Sequence, residues 1–155
     1  MNQDEIYMGE AIRLSELAVM HGNEPFGAVL VKDGKIVYSN ENQIYTGSDP
    51  TFHAEAGLLR SFCAKTNIVD LRDYTLYSSC EPCFMCCGAM VWTKVGRLVY
   101  GASDIDLCDI LNVKGAECSR IVFENSGWKP QVTSGVLRDK SLEILYGYFK
   151  NHTKG

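Results

Sequence analysis

Two short stretches combine side chains that can hold a metal ion and move a proton: His53-Ala54-Glu55 and Pro82-Cys83-Phe84-Met85-Cys86. Cys83 and Cys86 are three residues apart, so on a helical turn their sulfurs share one face and can bind a single ion. The positive end of a helix and the ion itself both favour the thiolate form that a ligand needs. His53 makes a third ligand. A structural zinc site closes its shell with a fourth protein ligand, whereas a catalytic one keeps that position for water, which zinc acidifies toward a pKa of about 7. Glu55 is not needed as a ligand. Beside such a water its carboxylate can take a proton, deliver it to a ring nitrogen and later protonate a departing amine. A lone Cys-x-x-Cys can instead be a redox pair, but that leaves His-Ala-Glu without a role. A zinc-stabilised binding module without turnover would leave Glu55 idle and would need a fourth thiol, such as Cys80 or Cys87.

The elements that must position these residues are readable from pattern. A first helix is predicted over about Asp4–Met20, capped by Asn2 with Glu5 completing a capping box. Its apolar face carries Tyr7, Ala11, Leu14 and Ala18. Gly27–Val31 and Ile36–Tyr38 flank Asp33-Gly34, a strong hairpin signal. Asp49 or Thr51 can cap a helix over His53–Cys63. A third strand is expected at Tyr74–Ser78, and a helix at Cys83–Thr93 with Pro82 opening it. Strands follow at Arg97–Tyr100 and Gln131–Ser134, then a last helix at Ser141–Phe149. Between Asp104 and Lys129 the periodicity is mixed and specifies no element. The alternation gives a three-layer α/β/α sandwich around a mixed five-stranded sheet. Both chemical stretches then open helices at the end of that sheet, where open α/β folds place their ligands.

These stretches, with Pro25-Phe26-Gly27-Ala28-Val29, Asn42, Asp49-Pro50-Thr51-Phe52, Ser79-Cys80-Glu81, Cys87-Gly88-Ala89-Met90 and Tyr100-Gly101-Ala102, resemble the cytidine deaminase superfamily. The likeness lies with the branch of guanine deaminase, fungal-type cytosine deaminase and bacterial tRNA adenosine deaminase, and covers roughly residues 1–102. It implies zinc on His53, Cys83 and Cys86, proton shuttling by Glu55 and substrate contact by Asn42. It also implies Phe26 against a flat ring, the amides of Ala54 and Cys83 facing the reacting centre, and a homodimer. Trp92, six residues past Cys86, is read as core, dimer interface or a border of the substrate.

The remaining residues bear on the substrate. Pro25-Phe26-Gly27-Ala28 has the guanine deaminase form, since tRNA adenosine deaminases usually carry valine where Phe26 stands. After Ala102 the tRNA enzymes are rich in lysine and glycine, but this chain reads Ser103-Asp104-Ile105-Asp106-Leu107-Cys108-Asp109. A carboxylate there can accept hydrogen bonds from a ring N–H or amino group, and Asp106 is the candidate carried forward. Against guanine, Val132-Thr133-Ser134-Gly135-Val136-Leu137 is similar to the tRNA enzymes. The formal charge of −4 argues against a surface built for a phosphate backbone. The expected reaction is hydrolytic release of ammonia from a free base or nucleoside, guanine first and cytosine next, with tRNA adenosine as the alternative. The 155 residues fit one domain, 1–155. The acidic N-terminus, the absence of a long apolar run and a cluster of four of the seven cysteines within eight residues are those expected of a cytoplasmic chain.

Overall fold

The computed structural model describes residues 1–152, with side chains described to Lys150. Five strands, β1 (Gly27–Lys32), β2 (Lys35–Glu41), β3 (Thr75–Cys80), β4 (Arg97–Ala102) and β5 (Gln131–Thr133), form one sheet in the order β2-β1-β3-β4-β5. β1 pairs antiparallel with β2 and β3, while β3–β4 and β4–β5 are parallel. Six helices surround it: α1 (Gln3–Met20), α2 (Ala54–Thr66), α3 (Phe84–Thr93), α4 (Asp104–Leu111), α5 (Cys118–Glu124) and α6 (Arg138–His152).

The period of two along each strand divides the core. Ala28, Leu30, Leu76 and Leu98 point to the face covered by α2, α3 and α5, with Leu58, Phe62 and Met90. Val29, Val31, Tyr77 and Val99 point to the other, against Met8, Ala11 and Leu14 of α1. Strands buried on both faces are what helices on either side of a sheet require. The expected three-layer α/β/α sandwich is thus present. Gly27 lets α1 approach the start of β1: a Cβ there would lie 2.2 Å from the Ala11 carbonyl oxygen. That contact, with the Gly27 amide donating to Ser79 Oγ at 3.0 Å, sets where Phe26 leaves the sheet.

Several local expectations hold. Asn2 and Glu5 form the capping box of α1, and Asp33 and Gly34 carry the positive φ values of the hairpin turn. Others differ in instructive ways. α2 is capped at position 53, not by Asp49 or Thr51; the Asp49 carboxylate instead accepts the Thr51 amide at 2.9 Å in a turn of its own. Pro82 lies before the N-cap of α3, not inside the helix, because Cys83 holds the cap position. The stretch that specified no element contains α4 and α5. α6 begins three residues earlier than expected and runs three further. Among the described residues no helix is long and apolar enough to cross a membrane.

Candidate active site

The parallel strands β3 and β4 end side by side, with Cys80 opposite Ala102 in register. The chain beyond β3 enters the loop to Cys83, and the chain beyond β4 enters α4. The antiparallel β1 brings its beginning, and therefore Phe26, to the same edge. His53 and Cys83 are the N-cap residues of α2 and α3, both extended in backbone, and neither side chain makes a capping hydrogen bond. Two positions that usually stabilise a helix end point their side chains at each other instead. Cys83 Sγ lies 3.5 Å from His53 Nδ1, and Cys86 Sγ lies 3.7 Å from it. All three ligand atoms fall within 4.8 Å of one another.

This donor set fits zinc. Bonds of about 2.3 Å to sulfur and about 2.0 Å to nitrogen at a tetrahedral angle separate N and S by about 3.6 Å, which matches the spacing seen. The Cys83 thiol is drawn down to about 4, first by the hydrogen bond it accepts from Cys86 and also by His53. Cys86 is pushed far above the usual thiol range by that same hydrogen bond and by burial. Two thiols crowded around one proton and one imidazole nitrogen are satisfied together by a dication. Cys80 and Cys87 stand outside the group: their sulfurs face the carbonyl oxygens of Ser103 at 3.9 Å and Pro82 at 3.3 Å. Among the described residues the cluster therefore has three protein ligands, with no fourth thiol closing it.

Glu55 is buried, 5% exposed, in the first turn of α2. Burial, with the charge at Cys83 second, pushes its carboxyl up to about 7. A cation seated in the triad pulls that value back toward the ionised form. Glu55 lines a cavity of about 280 Å³ together with His53, Cys83, Phe26 and Asn42. The Asn42 Oδ1 accepts the backbone amides of Glu24 at 3.4 Å and Ile44 at 3.2 Å. Its Nδ2 has no protein acceptor among the described residues and is left as a donor to the cavity. Leu107 and Leu111 of α4 and Phe149 of α6 supply apolar wall. The Phe149 ring lies 6.1 Å from that of Phe26, so the C-terminal helix closes the pocket of its own chain.

Sequence reasoning placed His53, Glu55, Cys83, Cys86, Phe26 and Asn42 here, and the structure brings these six together. Ala54 is fully buried behind them in the first turn of α2, and its side chain is absent from the lining. Asp106 and Trp92 do not line this cavity. Trp92 is 87% exposed on the outer side of α3. Asp106 is engaged by Arg138, at 2.7 and 2.9 Å, and by the Ser103 amide at 3.0 Å, which ties α4 to α6 outside the cavity. Asp104, one of the three aspartates that could accept from a ring edge, lines the cavity, as do Glu24, Cys80, Glu81 and Phe149, which were not singled out as substrate contacts. For Phe149 a signal existed: Leu142, Leu145 and Phe149 recur on one face of the last helix.

Comparison with known proteins agrees with this geometry. The family model of the cytidine and deoxycytidylate deaminase zinc-binding region matches residues 1–102. The chain is 40% identical over 106 residues to guanine deaminase of Bacillus subtilis (strain 168), covering 68% of each protein. It is 34% identical over 154 residues to a tRNA-specific adenosine deaminase of the same strain, covering 99% of this chain and 93% of that relative. Among solved structures, guanine deaminase from Nitrosomonas europaea superposes with a TM-score of 0.80 at 27% identity, over 93% of this chain and 83% of the other.

Proposed function

Since the chain belongs to the cytidine deaminase superfamily, in its zinc-binding nucleobase and nucleoside deaminase branch, we propose that it removes an amino group from a free nucleobase, guanine before cytosine. It is a zinc-dependent hydrolytic deaminase. The observation that carries the substrate reading is the cavity lining: four carboxylates, from Glu24, Glu55, Glu81 and Asp104, and no lysine or arginine among the described residues. A phosphate entering such a space meets a carboxylate-rich wall with no lysine or arginine to pair with, whereas neutral N–H-rich rings find acceptors. At about 280 Å³ the space is small for a ligand site and suits a flat heterocycle.

His53, Cys83 and Cys86 would hold the zinc, which as a Lewis acid makes water nucleophilic near neutral pH. Phe26 and Phe149 flank the ring and exclude solvent. Asn42 Nδ2 donates to a ring acceptor and fixes the ring's orientation. Glu55 takes one proton from the attacking water and hands it to the ring nitrogen beside the amino-bearing carbon. It then carries the second proton to the departing amino group, which leaves as ammonia, and the ring keeps the oxygen.

We take residues 1–155 as one catalytic domain. We also take the enzyme to be a homodimer through α3, whose Phe84, Met85 and Trp92 are exposed apolar side chains. A cytoplasmic location accords with seven cysteines that form no disulfide. The near full-length match to tRNA-specific adenosine deaminases favours a second reading, a tRNA substrate. An ammonia-release screen across guanine, cytosine, adenine and their nucleosides tests the first reading. Turnover of guanine or cytosine upholds it. Turnover confined to tRNA, with affinity falling steeply in salt, replaces it.

A further inference from the structure

Of the four carboxylates lining the catalytic cavity, three are accounted for. Glu81 accepts the Asp104 amide at 2.9 Å and the Ser119 amide and hydroxyl at 3.1 and 2.5 Å. Asp104 accepts the Ala116 amide at 2.9 Å. Glu55 stands beside the triad. Glu24 remains, and its side chain has one long hydrogen bond among the described residues, 3.5 Å from the Tyr45 hydroxyl. Partial burial pushes its carboxyl above the usual carboxylate range, with the charge at His53 and this hydroxyl opposing. A partly buried carboxylate with so weak a partner, on the wall of a cavity, is placed to accept a hydrogen bond from a ligand.

Position says which part of the ligand. A second cavity of about 500 Å³ adjoins the first and shares Glu24, Leu111 and Phe149 with it. His53, Glu55 and Cys83 line only the inner one. Glu24 therefore lies where the two cavities join, on wall that the outer cavity shares and to which His53, Glu55 and Cys83 do not belong. A flat base with its amino-bearing carbon at the triad turns its far edge to Glu24. In cytosine that edge carries the ring N–H across from the reacting carbon, and in guanine it carries an imidazole N–H. In nucleosides that same nitrogen bears the sugar.

Resting on the base-deaminase reading above, we propose that Glu24 is the residue that selects free bases: its carboxylate accepts the ring N–H that glycosylation removes. Asn42 and Glu24 then divide the far edge, the amide donating to a ring acceptor and the carboxylate accepting from the ring donor. A site built around a substrate N–H rejects analogues lacking it far more strongly than apolar contact does. Because Glu24 borders the open outer cavity, the discrimination is expected on the order of 10²-fold rather than the larger values of enclosed sites.

The test compares kcat/KM for guanine against 9-methylguanine, and for cytosine against 1-methylcytosine, in the wild type, Glu24→Gln and Glu24→Ala. Dissociation constants for the same pairs are measured in a Glu55→Gln background, where turnover does not interfere. Glu24→Ala should lose about 10–100-fold on the free base and less than about threefold on its methylated analogue, so that the preference collapses. Glu24→Gln, isosteric and able to accept without charge, should fall between, with zinc content and melting temperature unchanged. A preference that survives in Glu24→Ala overturns the proposal. So does a variant that harms guanosine more than guanine, since the carboxylate would then be holding a sugar. Failure of the base-deaminase reading shows separately, as wild-type protein releasing ammonia from no free base, and it removes this proposal too.

Discussion

Replacing Arg138 by methionine tests what Asp106 does. Arg138 Nε and Nη2 donate to the two Asp106 carboxylate oxygens at 2.9 and 2.7 Å. This hydrogen-bonded pairing is the first cause holding the Asp106 carboxyl at about 2 instead of 3.8. The gap corresponds to about 2 kcal/mol of stability at neutral pH. The share belonging to Arg138 is smaller. Its side chain is 49% exposed, so solvent screens it, and the Ser103 amide and hydroxyl also hold the carboxylate. Arg138→Met should therefore be less stable at pH 7 and show a lower melting temperature. The sign with pH follows from a carboxyl whose folded value lies below its unfolded one. The stabilisation is full above about pH 5 and shrinks as pH falls through 3.8 toward 2. Urea denaturation of both proteins at pH 7, 5 and 3 reads this directly, with the gap narrowing at pH 3. Because neither side chain lines the cavity, kcat and KM should move by less than about threefold. An equal gap at pH 3 and 7 would refute the ion-pair reasoning. A loss in kcat/KM above about tenfold would return Asp106 to the substrate.

Phe149→Ala removes a wall that is 8% exposed and packs on Phe26; it should cost about 3 kcal/mol in urea denaturation and raise KM more than it lowers kcat. Trp92→Ser, at a side chain 87% exposed, should leave the melting of the fold unchanged and shift sedimentation from dimer toward monomer. A chelator should abolish ammonia release, and added zinc should restore it, while Cys86→Ser, which alters a fully buried sulfur of the triad, should weaken zinc in a competition titration by at least about tenfold.

What was legible in the sequence was what is local. Cys83 with Cys86, and His53 with Glu55, announce themselves because each pair lies within one turn at a helix N-terminus; that the two pairs meet, 30 residues apart, was implied by the family resemblance. The capping box of α1 and the Asp33-Gly34 turn are likewise fixed by contacts three or fewer residues apart. α4 escaped notice although Ser103 and Asp106 form a capping box, because the helix spans only eight residues and buries none of them fully. α5 is shorter still. Glu24 and Phe149 could not be placed, since they meet only when β1 lies antiparallel beside β3 and α6 folds back over α4. Asp106 misled for the same reason: an acidic residue near the site reads as a ligand until its partner, 32 positions away, is known.

The roles of metal and glutamate separate most directly in Glu55→Gln, with zinc content and ammonia release measured on the same sample. One zinc per chain should remain, because His53, Cys83 and Cys86 are untouched, while turnover of the best base should fall at least about 10³-fold. Zinc retained with turnover within tenfold of wild type would mean that protons travel by another group, and the assignment of Glu55 would be wrong.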